Sequence, residues 1–245
     1  MVLADSERGG ETSLEPLRPA GRVDESLVTV GIVIAALTVT VQSVGHVVGV
    51  RLLDDRYVHL NVDEELGLAA WTSAAVTFAA AFAVLLLTLL REAIDRWLVG
   101  LVALVAFFSL DDAVVVHERA AEKIAEALGY GDYAERLIWP ILFGPLFLAA
   151  LILLVYASRE LPERARGLVR VGIGLFVVAL GTELLSSAVY SAADVEPGSW
   201  PDVFEVLVEE SAELSGWILV ATAFLAAVVA YLDEDHAAER RRGGT

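Results

Sequence analysis

The stretch WLVGLVALVAFFSLDDAVVVHE, Trp97 to Glu118, decides how this chain reads. From Trp97 to Leu110 it carries no charge. Then Asp111 and Asp112 stand side by side, and His117 and Glu118 close the run. About 20 helical residues of this kind cross a hydrocarbon core of about 30 Å. The run has no period-2 alternation, so it reads as a helix and not as a barrel strand. Acids inside such a helix cost about 2.5–3.5 kcal/mol each on insertion scales, so each is kept for a partner or a purpose.

Five further runs have the same character: Leu27 to Val50, Leu66 to Leu90, Ile138 to Ala157, Leu168 to Ala192 and Val203 to Leu232. Only helices or closed barrels satisfy their backbone in lipid. The expected fold is therefore all-α, an integral membrane bundle of six transmembrane helices over residues 23–232. Residues 1–22, polar and holding Gly9, Gly10, Pro16 and Pro19, read as a disordered tail, and 233–245 as a second polar tail. The acidic start of the chain does not read as a signal peptide.

Composition agrees. The 245 residues are 57% hydrophobic with a net charge of −17, and mean hydropathy is +0.65. An ordinary soluble domain is about 45–50% apolar, and six such runs leave too little polar face for a soluble bundle. With no cysteine, disulfides, zinc–thiolate sites, iron–sulfur clusters and Cys nucleophiles are excluded.

Basic residues orient the bundle. With the N-terminus inside, the inner segments carry 12 of the 17 bases and the outer segments five: Arg51, Arg56, Arg119, Lys123 and Arg136. This places both termini in the cytoplasm of a multipass cell-membrane protein. The outer segment Glu118 to Leu137 is open to two readings, a short amphipathic helix on the surface or a plain continuation of the third helix, and the plainer one is favoured. A faint repeat places Val30-Gly31-Ile32, Val99-Gly100-Leu101 and Val171-Gly172-Ile173 at the start of helices one, three and five. Gln42, Asp111 and Glu183 each fall 12 residues after the leading Val. Three helical hairpins would produce this pattern.

The buried polar residues carry the functional signal. At 1.5 Å per residue, Asp111 lies about 21 Å from the inner end of its helix, Glu183 about 22 Å, Glu213 about 27 Å and His46 about 28 Å. All four fall in the outer part of the membrane and can share one site. On a straight helix Asp111 and Glu118 share a stripe, while Asp112 and His117 fall on opposite flanks, so one of these two needs another partner. Glu209 and Glu213 are four apart and Glu210 and Glu213 three apart, spacings at which like charges repel. Only Arg51 and Arg119 are within reach to offset them. Carboxylates with one or two histidines suit a divalent metal ion such as Mg, Ca, Mn, Fe or Zn. The candidate ligands are Asp111, Glu118, Glu183, Glu209, Glu210, Glu213 and His46. His117, Glu118 and Asp112 are the candidates for acid–base work. Glu205 and Asp202 read as solvated acids near a loop. Trp71, Trp139, Trp200 and Trp217 read as anchors at the outer interface, and Pro140 and Pro145 as a kink in the fourth helix.

Several chemistries are excluded. His117-Glu118 is followed by Arg119-Ala120-Ala121, so there is no HExxH, and no GxSxG elbow or P-loop occurs. No lysine lies in a membrane run to hold retinal. Rhomboid, CAAX-protease and desaturase patterns are absent, and membrane histidines are too few for a ceramidase-like zinc site.

The segments Phe108-Ser109-Leu110-Asp111-Asp112, His117-Glu118-Arg119 and Glu209-Glu210 with Glu213-Leu214-Ser215-Gly216-Trp217 resemble a group of uncharacterised prokaryotic multipass membrane proteins. That group carries an S-L-D-E…H-E helix and an acidic last helix; this chain has Asp112 where the group often has Glu. The resemblance implies a shared buried site and supplies no activity. The expectation is a metal-dependent enzyme acting on a membrane-embedded substrate. The alternatives are a cation- or proton-coupled transporter, or a structural membrane protein whose polar residues join helices. The lipid bilayer is the expected partner, nucleic acid is not, and protein partners are not legible.

Overall fold

The structure is a computed structural model that describes residues 25–53, 56–64, 67–91, 94–129, 135–193, 195–196 and 198–243. The expected tail over residues 1–22 lies outside them. Among the described residues there is no strand, and seven α-helices follow one another: α1 (Glu25–Val47), α2 (Leu68–Leu89), α3 (Arg96–Val114), α4 (Val116–Leu128), α5 (Glu135–Ser158), α6 (Glu163–Ala193) and α7 (Trp200–Gly243). A π-helical turn, Val48–Leu52, extends α1. All but α4 are long and apolar enough to cross a membrane.

α7 is the axis of the bundle and packs against α1, α2 and α6. In its most apolar 18 residues 72% are buried, against 11% in α1 and in α5, so the helix with most acids is the one best shielded from lipid. Two glycines allow the close approach. A Cβ on Gly216 would lie 2.6 Å from the Phe176 ring of α6, and one on Gly31 of α1 would collide with Thr222. Phe176, Phe224, Leu101, Leu154, Val105, Val169 and Val220 form the main core, each at most 2% exposed.

One end of the bundle is tied by charge. Arg91 pairs with Glu160 and reaches Asp95 at 4.0 Å, while the Tyr156 hydroxyl donates to Asp95 at 3.2 Å. Arg164 pairs with Glu25 at 2.6 Å. Arg166 closes the α5–α6 turn by donating to the carbonyls of Ser158, Arg159 and Leu161. These contacts gather the start of α1, the end of α2, the start of α3 and the α5–α6 turn at one end. The carboxyl-rich segments lie at the other.

The structure departs from the sequence reading in three places. The third helix does not run on: it stops at Val114, Val115 turns left-handed at φ 55°, and α4 begins as a separate amphipathic helix with Ala121 and Ala125 buried. The straight-helix phasing of Asp112 and His117 therefore does not apply. Second, α7 does not end at Leu232 but continues as helix through the polar residues to Gly243. Third, Trp217 is no interfacial anchor, because it is 3% exposed within the core. α5 passes through Pro140 and Pro145 as one helix.

Candidate functional site

The left-handed turn at Val115 assembles the first part of the site. Leaving α3, the chain turns at Val115 and brings His117 against Asp111. Asp111 accepts from the His117 backbone N–H at 2.9 Å through Oδ1, and its Oδ2 lies 2.7 Å from His117 Nδ1. Val115, the residue before α4, offers no side-chain cap, so the Asp111 carboxylate satisfies an open donor of the first turn in its place. The same carboxylate fixes the imidazole. His117 Nε2 lies 3.6 Å from Glu118, and the ring packs against Trp139 at 5.1 Å and Phe143 at 6.2 Å between centroids.

The His117 pKa is raised. Burial favours the neutral ring, but the hydrogen bond to Asp111 and the negative charges of Asp111 and Glu118 outweigh it.

Around this pair lies a cavity of about 600 Å³, lined from α2, α3, α4, α5, α6, α7 and the segment at Val62 to Glu64. Each of five carboxyl side chains has its own neighbour. Asp112 accepts from Ser73 of α2 at 2.9 Å. Glu183 accepts from the Trp139 indole. Glu205 accepts from Ser186 at 2.7 Å and lies beside Glu209. Glu213 receives a long contact from the Trp217 indole, 3.4 Å. Glu210 has no hydrogen bond to a described residue, and the charged groups acting on it, Glu213, Asp63, Asp112 and Glu118, are all acidic.

Four aromatic side chains line the cavity where it meets the hydrophobic core. Phe108, Phe147, Phe176 and Trp217 pack edge to face and tilted across it, with centroids 4.6 to 6.4 Å apart. Below them lies the aliphatic core. Ser109 sits beside this floor and donates to the Ala74 carbonyl at 2.8 Å, joining α3 to α2.

Of the residues singled out in the sequence, Asp111, Asp112, His117, Glu118, Glu183, Glu209, Glu210 and Glu213 all line the cavity. His46 does not. It is 3% exposed and its Nδ1 accepts from the Val62 N–H at 3.2 Å, so it holds down the segment after α1. Gln42, the remaining member of the faint repeat, also lies outside the lining, and its buried Nε2 has no hydrogen-bond partner among the described residues. Arg51 donates to the Gly198 carbonyl at 2.6 Å and lies 4.8 Å over Trp200, whereas Arg119 does reach the lining. Glu205 is no simple loop acid, since it lines the cavity. Its place one turn before Glu209 was the available signal. Ser73, Ser186 and Asp63 had none. Among the described residues, no three His, Asp or Glu side chains are arranged to hold a metal ion.

A family model for a domain of unknown function, DUF8692, matches residues 26–228. The chain belongs to the DUF8692 family. The match runs from the first membrane-length helix through about two thirds of α7, so the whole cavity lies inside the DUF8692 domain. No curated protein and no solved structure matches the chain.

Proposed function

We propose that this DUF8692 protein is an integral membrane enzyme that acts by general acid–base catalysis on a membrane-embedded substrate, with Asp111 and His117 as the catalytic couple. The observation that carries the reading is the two-point hold of Asp111 on His117. A carboxylate on Nδ1 fixes the tautomer and orientation of the ring and stabilises its protonated form, leaving Nε2 to exchange a proton. A carboxylate needed only as a helix cap would stop at the backbone N–H. The couple also stands in a cavity of about 600 Å³, within the size range of small-molecule sites.

Other observations weigh the alternatives. A permeation path needs polar groups through the inner half of the bundle, and the aromatic floor and aliphatic core oppose one. Polar residues serving only as glue would pair across helices, whereas Glu210 faces acids. The metal-dependent form of the reading lacks geometric support, because no suitable ligand trio is present among the described residues. The proposed orientation opens the cavity to the extracytoplasmic side with both termini in the cytoplasm, supported by the 12 bases that the sequence carries in the segments assigned to the inner side.

The test is consumption of lipid. Purified protein is incubated with a polar-lipid extract of its host membranes, and each species is followed by mass spectrometry. The expected result is loss of a defined species with the wild type, and no loss with His117→Gln or Asp111→Asn. Identical lipid profiles for all three proteins would overturn the reading.

A further inference from the structure

We propose that the cavity takes an organic ammonium ion with an apolar body, its nitrogen held by Glu210 and its apolar part resting on the aromatic floor. The inference rests on the cavity being a substrate site and names the class of substrate. Two independent observations support it. The first is the state of Glu210. It is partly buried and lines the cavity. Asp112, Glu183, Glu205 and Glu213 each have a hydroxyl or indole donor, but Glu210 has no such donor and no base among the described residues. A partly buried carboxylate set among acids is costly unless a cation completes it. The cavity lining holds eleven Asp and Glu against Arg119 and His117.

The second observation is the floor. Phe108, Phe147, Phe176 and Trp217 close the cavity beside these carboxyls. Ring faces attract organic cations, best at Trp and more strongly once water is excluded. They also bury the carbon skeleton next to the charge. A small inorganic cation would use neither the volume nor the rings, and it would need converging ligands that the described residues do not offer. An anion or a neutral lipid would leave the carboxyls uncompensated.

The test is calorimetric titration of the full chain in an uncharged maltoside detergent with phenethylammonium, and with phenethyl alcohol as its neutral counterpart. Saturable one-to-one binding is expected for the ammonium and none for the alcohol. Glu210→Gln keeps the shape and removes the charge, and should weaken binding at least tenfold. Phe147→Leu removes one ring of the floor and should weaken it several-fold. Thermal unfolding identifies any variant that fails to fold, in which case the other decides. Equal binding of the alcohol, or unchanged affinity in a folded Glu210→Gln or Phe147→Leu variant, would overturn the inference. So would one-to-one calcium binding that is tighter than ammonium binding and lost in Glu210→Gln. His117→Gln separates the two proposals. Ammonium binding without any His117-dependent lipid turnover removes the enzymatic reading alone; His117-dependent turnover without ammonium binding removes this inference alone.

Discussion

Asp111 holds two groups of one residue, the N–H and the ring nitrogen of His117, and the two contacts have separable consequences. Removing the charge with Asp111→Asn keeps a cap of similar quality, since Asn and Asp serve about equally there. It withdraws the interaction that raises the His117 pKa against the opposing effect of burial. A base must be neutral to accept a proton, so turnover in the wild type should rise with pH through a midpoint above the ordinary imidazole value of about 6.5. In Asp111→Asn the midpoint should fall, and the plateau should drop by about 10²–10⁴-fold as the tautomer is no longer fixed. Stability follows the same sign. A histidine whose pKa is higher folded than unfolded contributes stability that is fully present below the unfolded value and lost as pH rises through the folded one. Thermal unfolding of wild type and Asp111→Asn should therefore differ more at pH 6 than at pH 9. Glu118 and Glu213 also act on the ring and remain in the variant, so the midpoint moves only part of the way. An equal gap at both pH values would mean that Asp111 acts as a cap and nothing more.

At the scale of elements, the site depends on one break and one close contact. The break between α3 and α4 was not legible. Residues 113–116 read Ala-Val-Val-Val, with none of the Gly, Pro or Asn that mark a helix end, and a valine at φ 55° is strained by about 1–3 kcal/mol. The Asp111 hydrogen bonds and the packing of Ala121 and Ala125 offset that strain, and neither is visible in a linear pattern. The amphipathic character of residues 116–128 was visible, but a helix continuing from α3 would have shown it equally. The six long helices were legible because each apolar run matches a membrane width. Their relative burial was not: hydropathy alone does not reveal that α7 is the axis, so on sequence alone Trp217 reads as an interface anchor, whereas it is buried in the core. The close contact is Gly216 against Phe176. Gly216→Leu would drive a side chain into that ring from within the core and displace the cavity floor at Phe176 and Trp217, whose centroids are 4.6 Å apart. Overpacking of this kind costs about 1–3 kcal/mol. The measurement is the unfolding temperature in detergent, expected to fall, together with phenethylammonium affinity, expected to fall with it. An unchanged unfolding temperature would show that α6 and α7 are not so closely packed.

Across the whole molecule, the charge of −17 divides unevenly. The segments assigned to the inner side carry 14 acids and 12 bases, and the outer segments with the outward halves of the helices carry 20 acids and five bases. The ion pairs at Glu25, Arg91, Glu160 and Arg164 show that the inner segments do gather at one end, and the cavity lining shows that the acids gather at the other. Such a field raises the local concentration of cations at the cavity mouth, which is useful only if that mouth faces the compartment supplying them. Orientation is therefore part of the mechanism. The chain has no cysteine, so a single introduced thiol reports its own side of the membrane. Glu122 on α4 and Arg159 after α5 are both exposed and belong to opposite ends. In intact cells a membrane-impermeant maleimide should label Glu122→Cys and spare Arg159→Cys, and opening the cells should make both reactive. Basic residues are retained on the cytoplasmic side in short loops, and the loop holding Arg159, Arg164, Arg166 and Arg170 is the most basic of them. The opposite labelling pattern would turn the cavity toward the cytoplasm, and with it the source of any cation it binds.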